Sequence, residues 1–391
     1  MVELLLVVGL AVSVFVGYNV GGSTTGPAFG PAVGAGVLSK VAAAALMSVF
    51  FFIGAGTLGR RVVDTLGRDL VTRGGVFTLE TSIVVLFFIG GALFVGNYYG
   101  VPASTSMTAV GAIAGLGVAT DSLDWGVMGE IAVWWIVAPI IGFWVSGVIG
   151  RYFYPRINQW VAIETSDGPL LELDRSGTVP EPTLGPNTTR REVGGAVVVV
   201  AIGCLMAFSS GTSNIANAIA PLVGAGVEMD PMILLGSAAV AVGAFTIARR
   251  TLDTLGNDIT DLPLTAAIVV AVVSSGIVVG LSAIGIPASF VIIATMSIVG
   301  LGWGRATRTV TVGEGIRGGG ETNVSVGALK ADEPGEEPEG IGEEDPADIP
   351  AAADLFNPST TARIVLLQNV VPLLSTIGAL AAFGLLFRFV W

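Results

Sequence analysis

The chain has 391 residues, of which 52% are hydrophobic and 12% charged, with mean hydropathy +0.81 and a formal net charge of −12. Soluble domains carry about 25% charged residues, and apolar runs of about 20 residues recur along this chain, so the composition excludes a soluble globular domain and predicts a polytopic membrane protein. There is no histidine, which excludes a histidine proton relay and a histidine-ligated metal, and Cys204 is the only cysteine, which excludes an intrachain disulfide.

In chain order, the apolar segments fall at 3–20, 36–58, 76–98, 102–120 and 127–150. The first lacks a basic leader and runs directly into polar residues, so it is read as a helix rather than a signal peptide. A polar loop, 151–192, carries Pro155, Pro169, Pro180, Pro182 and Pro186. The second set falls at 193–208, 212–226, 231–248, 263–284 and 287–303; a loop at 304–361 and a final helix at 362–390 follow. The expected fold class is all-α, with two inverted helical repeats at 1–150 and from 193 onward, the last helix completing the second. Short segments rich in Gly or Pro are expected to be broken helices or re-entrant hairpins.

Ten acids and no Lys or Arg lie between Asp332 and Asp354, and Lys40 and Lys330 are the only lysines. This pattern fits either a protein hydrated in high salt, as in a halophilic archaeon, or an ordinary disordered acidic loop. Cys204 sits in an apolar run and is expected to be inert core.

The duplication is visible in Arg60–Leu70 (RRVVDTLGRDL) and Arg249–Ile259 (RRTLDTLGNDI), identical at seven of eleven positions. Asp64, Asp69, Asp253 and Asp258 are expected to pair with the motif arginines at a membrane face; a gating role is the alternative. Glu80 and Glu130, near the starts of apolar runs, are either intramembrane carboxylates or interfacial ones.

Four polar clusters lie inside apolar sequence. Gly17–Pro27 (GYNVGGSTTGP) and Gly211–Pro221 (GTSNIANAIAP) place amides and hydroxyls among small residues. A helix broken there would offer backbone N–H groups to an anion, while Asn and Ser/Thr side chains supply donors, or oxygens for a small cation. The competing reading is close helix packing through small residues. Val101–Thr108 (VPASTSMT) and Ile286–Val291 (IPASFV) share Pro-Ala-Ser, which suits a helix start whose free N–H groups could face an oxyanion. For Ser104 and Ser289 the competing reading is simple N-capping.

Gly211–Pro221 resembles the signature G-x-N-D-V-A-N-A-x-G-P of the inorganic phosphate transporter (PiT) family. Gly17–Gly30 is similar to a diverged copy, Val101–Thr108 to that family's L-P-x-S-T-T-H element, and the two RRxxDTLG stretches to its repeated R-V-x-x-T-x-G element. The resemblance implies symport of inorganic phosphate with sodium or protons, in a multi-pass plasma-membrane protein whose site lies between the repeats. It places Asn19, Ser23, Ser213, Asn214 and Asn217 on the ion and anion site, and Ser104, Thr105, Ser106 and Ser289 on the oxyanion. Thr24 and Thr25 join them as binding candidates, and a sodium ion would sit near Asn19, Asn214 and Asn217.

The pattern also departs from that family. The signature aspartate is Val20 in one copy and Asn214 in the other; a helical glutamate is Phe51; the histidine is Met107 or Ile292; and hydroxyls are replaced by Phe290 and Val291. These changes remove negative charge and proton carriers; phosphate is the expected substrate, with sulfate or another tetrahedral oxyanion as the alternative. A non-transporting sensor or scaffold, or a passive anion channel, is the reading from another class. No P-loop or nucleophile–base pair argues for an enzyme. No resident cofactor and no nucleic-acid partner are expected; lipid surrounds the chain, and a homodimer is a further expectation.

Overall fold

A computed structural model describes residues 2–34, 36–72, 74–98, 104–161, 171–174, 181–184, 189–247, 264–307 and 358–389. The second RRxxDTLG stretch, Pro102–Ala103 and almost all of the acidic loop lie outside the described residues. The helices are α1 (Val2–Gly34), α2 (Lys40–Gly56), α3 (Gly59–Asp64, continued by a π-turn over Thr65–Asp69), α4 (Leu79–Tyr98), α5 (Thr105–Ala119) and α6 (Trp125–Tyr152). They continue as α7 (Tyr154–Val161), α8 (Arg190–Gly224), α9 (Met229–Thr246), α10 (Leu264–Ala283), α11 (Phe290–Ala306) and α12 (Pro358–Phe389). The linker between α7 and α8 adds one antiparallel pair, β1 (Leu171–Asp174) with β2 (Glu181–Leu184).

Among the described residues, 7 helices are long and apolar enough to cross a membrane, or up to 8 if the pair α2 and α3, bent by 63°, counts as one span. Hydrocarbon offers no partners to backbone N–H and C=O groups, so the chain must satisfy them within helices. Outward-facing Phe87, Ile136, Trp144 and Leu234 are exposed, as lipid contact requires. Cys204 is buried and free.

The two halves exchange partners. α1 packs on α9 while α2 packs on α8; α6 packs on α11 while α5 packs on α12. Close approach is made by glycine. A Cβ on Gly21 would stand 2.0 Å from the Val240 carbonyl oxygen, and one on Gly243 2.1 Å from that of Tyr18. The α2–α8 crossing mirrors this: a Cβ on Gly54 would stand 2.2 Å from the Phe208 oxygen, and one on Gly211 2.1 Å from that of Phe51. Hydroxyls tie the halves further, Ser13 donating to the Ala218 carbonyl (2.8 Å) and Ser82 to that of Pro221 (2.7 Å).

One expectation is corrected. Gly17–Pro27 and Gly211–Pro221 do not lie at helix breaks: α1 runs unbroken for 33 residues and α8 for 35. Their backbone N–H groups belong to the helix ladder and are not available to an anion. A break occurs instead at the α2–α3 bend, and short segments at α5 and α11, the latter two of 15 and 17 residues. At 1.5 Å per residue these are about 22–26 Å long, short of the roughly 30 Å hydrocarbon core.

Candidate functional site

Ser104 is the N-cap of α5, its side chain accepting the Met107 N–H. The next two residues, Thr105 and Ser106, therefore sit in the first turn, where backbone N–H groups have no partner within the helix. This end of α5 meets the middle of α8. Thr105 Oγ1 donates to Asn214 Oδ1 at 2.6 Å, Asn217 Nδ2 donates to the same oxygen at 3.2 Å, and Ser106 Oγ lies 3.2 Å from Ser213 Oγ. Asn214 Nδ2 in turn donates to Ser210 Oγ at 3.0 Å. All of Ser104, Thr105, Ser106, Ser213, Asn214 and Asn217 are buried.

The chain entering α11 completes the cluster. Residues 285–289 are buried and non-helical, and the Ala288 carbonyl accepts from Ser106 Oγ and Ser213 Oγ, each at 3.0 Å. Trp135 Nε1 holds the preceding carbonyl, that of Pro287, at 2.9 Å. The donors of the cluster thus converge on two neutral oxygens, Asn214 Oδ1 and Ala288 O. One acceptor is left over: Asn217 Oδ1 is buried without a hydrogen-bond partner.

The remaining sequence candidates divide. Asn19 is buried on α1, donates to the Phe15 carbonyl of its own helix, and receives Asn97 Nδ2 at 3.1 Å. Ser23 and Thr24 bond back to the Val20 carbonyl at 3.0 and 2.8 Å, and Thr25 to that of Gly21 at 2.7 Å. Their hydroxyl protons are spent inside α1. Ser289 occupies the N-cap position of α11, yet its side chain caps nothing and its buried Oγ has no partner.

Three participants escaped the sequence reading. Asn97 is an amide in an otherwise apolar span, a signal that was there to read. Ser210 lies one residue outside the resembling motif. Ala288 acts through its main chain and leaves no side-chain signal.

The acids are elsewhere. Glu80 lines a cavity of about 560 Å³ with Thr78, Thr81, Thr120 and Phe387; Thr120 follows the C-terminal end of α5, opposite the cluster. Glu130 is exposed on α6. Within the first motif Asp64 pairs with Arg68 (2.7 Å), an arginine of the same stretch, whereas Arg60 pairs with Asp230 at the start of α9 (2.5 Å) rather than with a motif aspartate. Asp69 is exposed. Among the described residues no group of three or more His, Cys, Asp or Glu could hold a metal ion.

The cluster is thus an uncharged set of hydroxyls and amides, buried between a helix N-terminus of one repeat and the middle of a long helix of the other. A family model described as the phosphate transporter family matches residues 20–330. The chain belongs to that family. It is a multi-pass membrane transporter of an oxyanion-carrying family and not an enzyme. A sulfate permease of Bacillus subtilis is 31% identical over 270 residues, covering 68% of each chain. A Chlamydia trachomatis protein, named provisionally a phosphate permease, is 25% identical over 71% of this chain and 84% of its own length. A solved structure titled the sodium-dependent phosphate transporter superposes with a TM-score of 0.70 over 99% of this chain and 100% of that one, at 16% identity. That likeness shows the shared all-helical fold.

Proposed function

We propose that this transporter carries a fully ionised tetrahedral oxyanion by secondary active transport, with sulfate ahead of phosphate. The observation that carries the reading is the uncharged make-up of the cluster around Asn214. Hydrogen phosphate bears a hydroxyl that must donate, and a carboxylate is the strongest acceptor for it; sulfate only accepts. Thr105, Ser106, Ser213 and Asn217 supply donors, and the start of α5 adds a positive dipole end. The Bacillus subtilis relative named a sulfate permease supports the same choice. Phosphate is the second reading, favoured by the family description and the Chlamydia relative.

A dianion moved into an uncharged, buried site needs a companion charge, because an unpaired buried charge is strongly disfavoured. Sodium fits the oxygens present, the unpartnered Asn217 Oδ1 and the hydroxyl oxygens of Ser106 and Ser213 in the same cluster. The chain has no histidine to carry a proton at neutral pH. Exchange-paired repeats supply the two bodies that would rock around the site.

The test is initial uptake of labelled sulfate and phosphate into proteoliposomes under imposed sodium or proton gradients. We expect saturable sulfate uptake driven by sodium. Asn214→Asp should move the preference toward phosphate by about tenfold, the effect of roughly 1.4 kcal/mol between the two anions. Phosphate uptake without sulfate uptake would overturn the order of substrates. Binding of either anion without gradient-driven uptake would instead favour the sensor reading, and unsaturable flux a channel.

A further inference from the structure

The duplicated Arg-Arg stretch has no part in the cluster, yet its first copy reaches the chain that completes it. α10 ends in a Schellman turn: the Ile286 N–H donates to the Leu281 carbonyl (2.9 Å) and the Gly285 N–H to that of Ser282 (3.0 Å), with Gly285 at φ +82°. The next carbonyl, that of Ala283, receives the Arg61 guanidinium from α3 of the opposite repeat. A cation at a helix C-terminus is favourably placed, since the last carbonyls carry the negative end of the helix dipole. The contact is close along its length: a Cβ on Gly285 would stand 2.7 Å from Thr65 Oγ1, one turn after Arg61. From this anchored turn the buried stretch 285–289 runs inward to Ala288, whose carbonyl takes the hydroxyl protons of Ser106 and Ser213.

Each hydroxyl has a single proton. While Ser106 and Ser213 give theirs to Ala288, an anion cannot receive them. The Ala288 carbonyl therefore stands as a competitor for the donors an oxyanion needs, and the more firmly its segment is held against them, the smaller the fraction of time those hydroxyls are free to turn to the anion. We propose that Arg61 is a positioning residue that sets anion affinity by holding this segment in its competing position. The proposal rests on the reading of the cluster as an oxyanion site. Releasing the anchor raises the population of protein whose hydroxyls are free, and apparent affinity rises in proportion to that population.

The experiment compares Arg61→Ala, Arg61→Lys and Arg60→Ala with the unaltered full chain in detergent. Equilibrium binding of sulfate, and of phosphate in parallel, gives the Kd. Hydrogen exchange of peptides covering 284–289, without anion, reports the anchor independently. For Arg61→Ala we expect faster exchange in that stretch and a Kd lowered about fivefold, the population effect of a released anchor. Arg61→Lys, still able to donate to one carbonyl, should return both readouts to within about twofold of the unaltered chain. Arg60→Ala breaks the exposed pair with Asp230 and a bond to the Gly56 carbonyl, neither of which reaches the chain before α11, and should move neither readout. General damage would weaken binding, so tighter binding is a signature that mere destabilisation does not imitate. Unchanged exchange in 284–289 overturns the anchor; faster exchange with an unchanged or weaker Kd overturns the competition. Failure of the unaltered chain to bind either anion overturns the oxyanion reading, and this inference with it, while the exchange data still say whether Arg61 holds the turn.

Discussion

The sequences just before α5 and α11 both read Pro-Ala-Ser, yet the first continues as Thr105-Ser106 and the second as Phe290-Val291. The helices they would address differ in the same sense. α8 carries Asn214 where α1 carries Val20, and Val20 is fully buried in the apolar core. The packing of the two halves is nevertheless near-symmetric: Gly21 on Val240 in one crossing, Gly211 on Phe51 in the other. Helix packing thus preserves the duplicated small residues in both halves, while hydrogen-bonding chemistry has gathered where α5 meets α8. The two motifs look alike for a packing reason, and only one of them also has a chemical one.

Three predictions test this comparison. The largest effect is expected at Asn214→Leu, which removes the amide that orients Thr105 and Asn217 and puts an apolar side chain among the donors; a loss of about 2.7 kcal/mol of anion stabilisation corresponds to an uptake lowered by about 100-fold. Val20→Asn, at the matching position of α1, should change uptake by less than about threefold for folded protein. Initial rates normalised to membrane-inserted protein measure both, and equal losses would break the asymmetry. Next come Gly211→Val and Gly21→Val. Each forces a side chain onto a facing carbonyl, and overpacking costs about 1–3 kcal/mol, lowering the unfolding midpoint by similar amounts in the two variants. A much larger fall in one would show that packing, too, has become unequal. The smallest difference is at the caps. Ser104→Ala removes an N-cap bond worth about 1 kcal/mol, whereas Ser289→Ala removes a hydroxyl that bonds nothing and should leave thermal stability unchanged or slightly raised.

Much of the fold was legible because hydrocarbon imposes a simple rule on composition. Segments 76–98 and 231–248 are α4 and α9 with ends moved by a few residues. The reading failed at 193–208 and 212–226, one continuous α8 in the structure. Ser209, Ser210 and Gly211 look like a break by soluble propensities. Inside a bilayer an opened backbone has nothing to bond to, so the helix continues through them. For the same reason the motif residues offer side chains rather than backbone N–H groups. Ser23, Thr24 and Thr25 looked as promising as Ser213 and Asn214, but hydroxyls in a helix can turn back to carbonyls three or four residues behind, and these do.

By itself the sequence determined that the chain lives in a membrane, that it is built twice, and which family it resembles, because hydropathy, self-similarity and motif spacing are properties of the chain as written. Only the tertiary structure decided what each residue of Gly211–Pro221 does. Successive helical residues point about 100° apart, so Gly211 turns to the α2 backbone while Asn214 turns to α5 and Ser213 to the chain before α11. Which neighbour stands on which side is set by the exchange of helices between the repeats, and no local pattern encodes it.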